Sequence, residues 1–410
     1  INFGTSENQL SSISIKSNGS TNNYLSLGNG TKANLYSSGD IKIAGDVANA
    51  ETAITLSGAE SQLNLVAATL ADIDGAVVIN SGNGTFEGST IDISGYLYNR
   101  GGNVSLKGKN ITVATPENAN YGYYMGIHSS GTTTINSDAL NVYGGINISS
   151  GKFDVISSSA IINATGRNAL SASNSSEFIF NAVEDTENQT LVLNSTDAGA
   201  ALISSKSKLS VKGGNFQAIG SVQSNGGIIE LGTANKALNS VIVSSNKNGA
   251  SALRSNGGDV SVFADQVAIV NEGKTAIDAF TYQRDTSLEG DTGTVRIHGN
   301  KTVNIIGDIV AGKDSNELDR DYVRENSVIE IDSDGTTQIA GNLFTFNSDS
   351  YKTGGYDENN PQSGITSGKT NNVIKLTLNG STSSLTGSIV DEGATDKTGT
   401  SLNLTDGASW

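Results

Sequence analysis

The sequence predicts an all-β chain wound as a solenoid of parallel strands, and three observations carry that prediction. One short pattern returns many times along the chain, fullest at residues 245 to 263, SNKNGASALRSNGGDVSVF. It runs as a small residue, an apolar one, a Ser-rich polar corner with Gly, then an alternating apolar pair. Repeats of this kind decide the fold before any single element does. Within each short run only alternate residues are apolar, so a strand there has one buried and one wet face. Finally, the anchors recur at intervals of about 20 to about 32 residues, natural for a coil whose turns carry loops of varying length.

The pattern recurs at Ile54, Val78, Leu97, Ile127, Ile146, Leu170, Leu202, Val222 and Leu253. Each copy reads as a strand, a tight polar corner and a second strand, and no strand buries its apolar side alone. Stacking predicts one inward ladder of Leu97, Ile127, Ile146, Leu170, Leu202, Val222 and Leu253. A second joins Val104 with Leu106, Phe153 with Val155, Leu209 with Val211, and Val260 with Val262. Turn dipeptides are NG, GG, SG and DG, and no helical period is sustained.

In chain order, 1–52 holds less regular turns, 53–280 regular ones, 281–372 loop-rich ones and 373–410 closing ones, all expected to form one continuous domain. Residues 115 to 126 interrupt with Pro116 and three tyrosines, and 183 to 191 form an acidic excursion. Residues 348 to 372 are the longest stretch without strand character, a length that in a compact array marks function or mobility. At 4.8 Å per turn, 410 residues predict a rod on the order of 80 Å long, since repeat chains grow in one dimension.

Composition narrows the classes. Gly is 49 of 410 and Pro only 2, and the steady supply of Val, Ile and Leu argues against disorder. The net charge of −16 disfavours nucleic acid or anionic lipid as the main partner. No apolar run reaches membrane-spanning length. With zero Cys, disulfides, thiol nucleophiles and Cys-bound metals are excluded. Starting at Ile1 without Met or leader, the chain reads as a segment of a longer one.

Ser384-Leu385-Thr386-Gly387-Ser388, followed by Leu402-Asn403-Leu404-Thr405-Asp406-Gly407-Ala408-Ser409-Trp410, resembles the closing turns of type V autotransporter passenger domains. The corner repeat over 53 to 280 is similar to that family's single-stranded right-handed parallel β-helix with loop excursions. The resemblance implies a bacterial cell-surface adhesin, an outer-membrane barrel further along the same full-length chain, and attachment to host glycan, to matrix protein or to another copy in trans.

The search for chemistry returns little. GDSGS and GxSxG are absent, and Gly4-Thr5-Ser6 and Gly399-Thr400-Ser401 are expected by chance in a chain rich in these residues. His128 is placed at the repeat's corner and His298 in a strand, neither with an Asp or Ser partner at recognisable spacing. Asp72 with Asp74, and Asp332 with Asp334, are same-face pairs before Gly; an acid pair or Ca²⁺ site is one reading, solvated DG turns the favoured one. Asp314, Glu317, Asp319 and Asp321 sit among Arg320 and Arg324 as a self-neutralising loop. No metal, cofactor or enzymatic activity is therefore expected, the alternative being a β-helical polysaccharide lyase or hydrolase.

Ligand contacts are expected in the excursions, at Tyr121, Tyr123, Tyr124, Arg320, Tyr322, Arg324, Tyr351 and Tyr356, because aromatic and guanidinium groups stack on sugars and anchor protein contacts. The plainer reading packs these tyrosines back on the coil. Outward Ser, Thr and Asn, such as Thr132-Thr133-Thr134, are expected to form polar ladders open to water or to a second copy.

Overall fold

The computed structural model describes residues 1–16, 23–44, 52–114, 126–181, 189–196, 199–245, 250–280, 292–312, 326–347, 350–352, 365–367, 371–393 and 398–410. The chain is all-β: strand accounts for 71% of it and no helix occurs among the described residues. Its strands are mostly parallel. Two compact units, Ile1–Gly199 and Ala200–Trp410, divide it.

In the first unit, the strands fall into three columns. The first holds Asn23–Leu27, Thr52–Leu56, Ala76–Ile79, Leu97–Asn99, Ile127–Ser129, Ile146–Ile148 and Leu170–Ser173, each paired in parallel with the next. The second and third are built largely from single long strands, Gln62–Ile73, Asn83–Ile93, Asn103–Val113, Thr132–Tyr143 and Lys152–Thr165. Each of these bends midway and serves both columns. The repeat therefore has three strands per turn where the sequence suggested two. The third was missed because it continues the second through a corner of small or polar residues, as at Gly108-Lys109 and Ser137-Asp138, with no turn signal between them.

Ala200–Trp410 repeats the plan. Leu202–Ser205, Val222–Asn225 and Leu253–Asn256 stack in register and continue onto the end of Asp259–Phe280. That strand supplies all three columns of its turn, as does Gly293–Ala311 after it. Turn length varies widely: Ile127 and Ile146 are partners 19 residues apart, Leu343 and Ile389 are partners 46 apart. Between Asp259–Phe280 and Gly293–Ala311 the register shifts at Val270/Thr275 and resumes at Ile277.

Alternation places the core. Leu97, Ile127, Ile146 and Leu170 are successive partners in the first unit, as are Leu202, Val222 and Leu253 in the second, and all are buried. Val104, Thr133, Phe153 and Phe178 stack likewise, the two phenyl rings 6.0 Å apart. Each fully buried Leu, Ile or Phe is worth about 1.5–3 kcal/mol of transfer free energy, and stacking turns supply that burial. Thr133 corrects an expectation: with parity fixed by Phe153, the middle residue of the threonine run points inward. Its hydroxyl is satisfied there by Asn99 and Ser129.

The inward polar corner has a local cause. Asn99 accepts from the Gly102 amide and donates to the Gly102 carbonyl, tying the bend three residues on. Ser204 and Ser224 make the same three-residue tie to the carbonyls of Ser207 and Gly227, each at 2.7 Å, and Ser255 makes it to Gly258. Corner glycines are then forced by close stacking, since a Cβ on Gly131 would strike the Gly102 carbonyl.

Within 348–372, read as lacking strands, Ser350–Lys352 and Ile365–Ser367 pair antiparallel. Three-residue strands are too short to show alternation.

Candidate functional site

Outward-facing residues at equal register positions form columns running from turn to turn, and three groups gather polar or charged side chains. On the third column of the first unit, Lys42, Asp72 and Asp92 are successive partners. The Lys42 ammonium lies 2.6 Å from Asp72 and 3.3 Å from Asp74. The hydrogen bond and charge of Asp72 raise the Lys42 pKa. One turn on, burial pushes the Asp92 carboxyl up, and the charges of Asp72 and Asp74 add to the effect.

A second group lies on the second column of Ala200–Trp410. Glu230 accepts from Lys208 at 3.0 Å, while Glu330 takes Arg296 at 3.2 Å on one oxygen and Lys375 at 2.8 Å on the other. Glu330 is held below the usual carboxylate range, chiefly by its hydrogen bond from Lys375. His298 Nδ1 is 2.8 Å from Asp332 and Nε2 3.6 Å from Asp334. Asp265 meets Lys301 at 2.6 Å and Asn300 at 2.8 Å, which lowers its pKa.

These two groups overturn two readings of the sequence. His298 does have carboxylate partners, 34 residues away in sequence and one turn away in space. The Asp72–Asp74 pair is not simply solvated, for it closes on Lys42 of the preceding turn, whereas Asp332 and Asp334 stay exposed beside His298. Among the described residues no three His, Asp or Glu groups come together as a metal site.

The third group stands on the first column of the first unit, where Val78, Tyr98, His128, Asn147 and Ser171 are successive outward partners. His128 is thus in a strand, Ile127–Ser129, and not at the corner; counting the corner from Ser129 would have placed it. The exposed Arg100 guanidinium lies over the Tyr98 ring, 4.6 Å from its centroid. The His128 ring is tilted by 56° against the same tyrosine, with centroids 4.7 Å apart. Its Nε2 is 3.3 Å from Ser149 Oγ, and Nδ1 is 3.5 Å from the Asn147 amide nitrogen. Burial lowers the His128 pKa and the Arg100 charge lowers it further, so the imidazole is neutral at pH 7. Ser171 donates to Asn147 at 3.0 Å, and the Ser130 and Ser149 hydroxyls are 2.5 Å apart.

Of the expected ligand residues, Tyr121, Tyr123, Tyr124, Arg320, Tyr322, Arg324 and Tyr356 lie outside the described residues. Tyr351 sits in Ser350–Lys352, opposite Thr366. Sequence reading passed over Tyr98 and Arg100. The signal was present in YLYNRGG, where Arg100, one residue past the strand Leu97–Asn99, keeps the outward parity of Tyr98.

No family model matches the sequence, no curated protein matches it, and no solved structure matches the fold.

Proposed function

We propose that the chain is a right-handed parallel β-helix serving as a non-enzymatic adhesin on a bacterial cell surface, the passenger of an autotransporter whose barrel belongs to the same full-length chain. Right-handed winding follows from the strong preference of parallel crossovers for that hand. Its partner is a host glycan, a matrix protein or another copy in trans, held on the outward wall and on the excursions from it.

One observation carries the reading. Several outward charges pair between successive turns, Lys42 with Asp72, Lys107 with Glu87, Arg296 and Lys375 with Glu330, and Lys301 with Asp265. Pairs of this kind tie exposed groups of one turn to the next, which suits display of contact groups better than turnover. Arg100 on Tyr98 supplies aromatic and guanidinium chemistry of the kind that dominates recognition surfaces. The resemblance of the closing residues 384–410 to autotransporter passengers supplies the cellular setting.

The purified chain tests the reading on a glycan array and a matrix-protein panel, with sedimentation velocity for self-association. Binding or self-association without turnover supports it. Release of unsaturated or reducing sugar from acidic polysaccharides sinks it in favour of a lyase or hydrolase. Asp92 favours that second reading, since a carboxyl raised beside Asp72 and Asp74 has the character of a general acid. Loss of turnover in Asp92→Asn would establish it.

A further inference from the structure

We infer that Arg100, Tyr98, His128 and Asn147 form a subsite for one carboxylated sugar residue of an acidic oligosaccharide. The inference deepens the surface-binding reading above by naming a ligand class and the residues that meet it.

Arg100 provides the anion specificity. Among the described residues no carboxylate pairs with it, whereas Arg254 and Arg296 end on Asp278 and Glu330. The exposed guanidinium rests on the Tyr98 ring, its Cζ 4.6 Å from the centroid. A planar guanidinium fork matches the two oxygens of a carboxylate, and the aromatic contact reduces the side-chain freedom lost on binding. The chain as a whole carries −16, so an anion is not drawn to it at long range. Selectivity at this place therefore comes from contact geometry.

The neighbouring turns supply hydroxyl chemistry. Asn147 is exposed, with one amide hydrogen and one oxygen lone pair beyond its bonds to His128 and Ser171. Ser130 and Ser149 form a hydroxyl pair beside the imidazole. A ligand using all of these has a carboxylate at one edge and hydroxyls one and two turns away, which is the chemistry of a uronic acid unit together with its neighbour in an oligosaccharide. The neutral His128 adds no second positive charge, so one carboxylate is matched by one guanidinium.

Titration of the intact chain with trigalacturonate, followed by saturation-transfer NMR and calorimetry, tests the inference. The wild type is expected to bind the free acid saturably. Its fully methyl-esterified form and maltotriose bind at least about tenfold more weakly, and Arg100→Gln loses at least about tenfold, the loss expected for a charge-assisted hydrogen-bond pair. Arg100→Lys, which keeps the charge without the fork, also binds more weakly than wild type. Equal affinity for acid and ester, unchanged binding by Arg100→Gln, or displacement by equimolar inorganic phosphate each overturns the subsite. The acid-versus-ester comparison uses the wild type alone, so it stands whatever the variants do to folding. Cell adhesion with no uronate binding overturns this inference and leaves the adhesin reading intact. Uronate binding accompanied by sugar release does the reverse.

Discussion

Leu253 and Ile242 allow the inward ladder to be tested against the wall outside it, because truncating either to Ala removes the same three carbons. Leu253 is fully buried between its register partners Val222 and Ile277. At ~0.8 kcal/mol per methylene the transfer loss is about 2.4 kcal/mol. A cavity contribution follows, because the ladder hydrogen bonds hold the neighbouring backbones apart, giving about 3 kcal/mol in all. Ile242 is 40% exposed and stands between Gln217 and Ala268 on the outer side of its strand. Water fills the gap it leaves, so its loss is about 1 kcal/mol or less. A repeat array need not unfold in one step, so the assay is hydrogen exchange resolved by peptide. Leu253→Ala is expected to cut protection in Val222–Asn225 and Leu253–Asn256 far more than Ile242→Ala does in Leu238–Ser244. Equal losses, or a larger one for Ile242→Ala, would refute the assignment of inward and outward faces.

Asn99→Ala removes the tie that closes a buried corner and leaves the Gly102 amide without that partner, at a cost of about 3 kcal/mol; Asn99→Ser, restoring the residue type found at Ser224, recovers part of it in a thermal melt. Asp92→Asn is expected to stabilise the chain at pH 7: the folded carboxyl has its pKa raised, so its ionisation disfavours folding above the unfolded value of 3.8, and the gain vanishes in melts below that pH. Glu330 and Asp265 act in the opposite sense. Their depressed pKa values add stability above the unfolded range that is lost as pH falls through the folded values, so Lys375→Met flattens the acid side of the stability curve. Changing Tyr121, Tyr123 and Tyr124 to Ser is expected to lower cell adhesion while leaving the melt nearly unchanged; full adhesion by that variant removes the excursion from the binding surface.

Much of the core was legible because alternation is a local property. Once Leu253 and Ser255 are inward, Arg254 must be outward, and the alternation that restarts after the Gly257-Gly258 corner assigns Val260 and Val262. Thr132-Thr133-Thr134 defeated the method because three identical residues carry no parity of their own; the parity of Ile135 in the same strand and the register with Val104 and Phe153 decide which one turns in. The third strand escaped notice since its corner lies inside a continuous strand and needs no glycine turn. The side-chain groups were illegible for another reason. His298 and Asp332, or Tyr98 and His128, become neighbours through stacking, and the excursions between turns make that sequence distance irregular. Parity alone could flag Tyr98 and Arg100 together, but not what the next turn places beside them.

The parallel register has a mechanical consequence. Within each unit the ladder hydrogen bonds join one turn to the next, while each turn is a separate loop of backbone between its neighbours. Tension applied through the chain therefore loads the bonds of the outermost turn and no others, as a zipper loads one tooth. Extension proceeds by peeling at a modest, repeated force, and turns deeper in a unit stay intact until their neighbour has gone. Were the chain the surface adhesin proposed above, it would lengthen by a turn under load and keep hold, and the released turn would have its template waiting when the load falls.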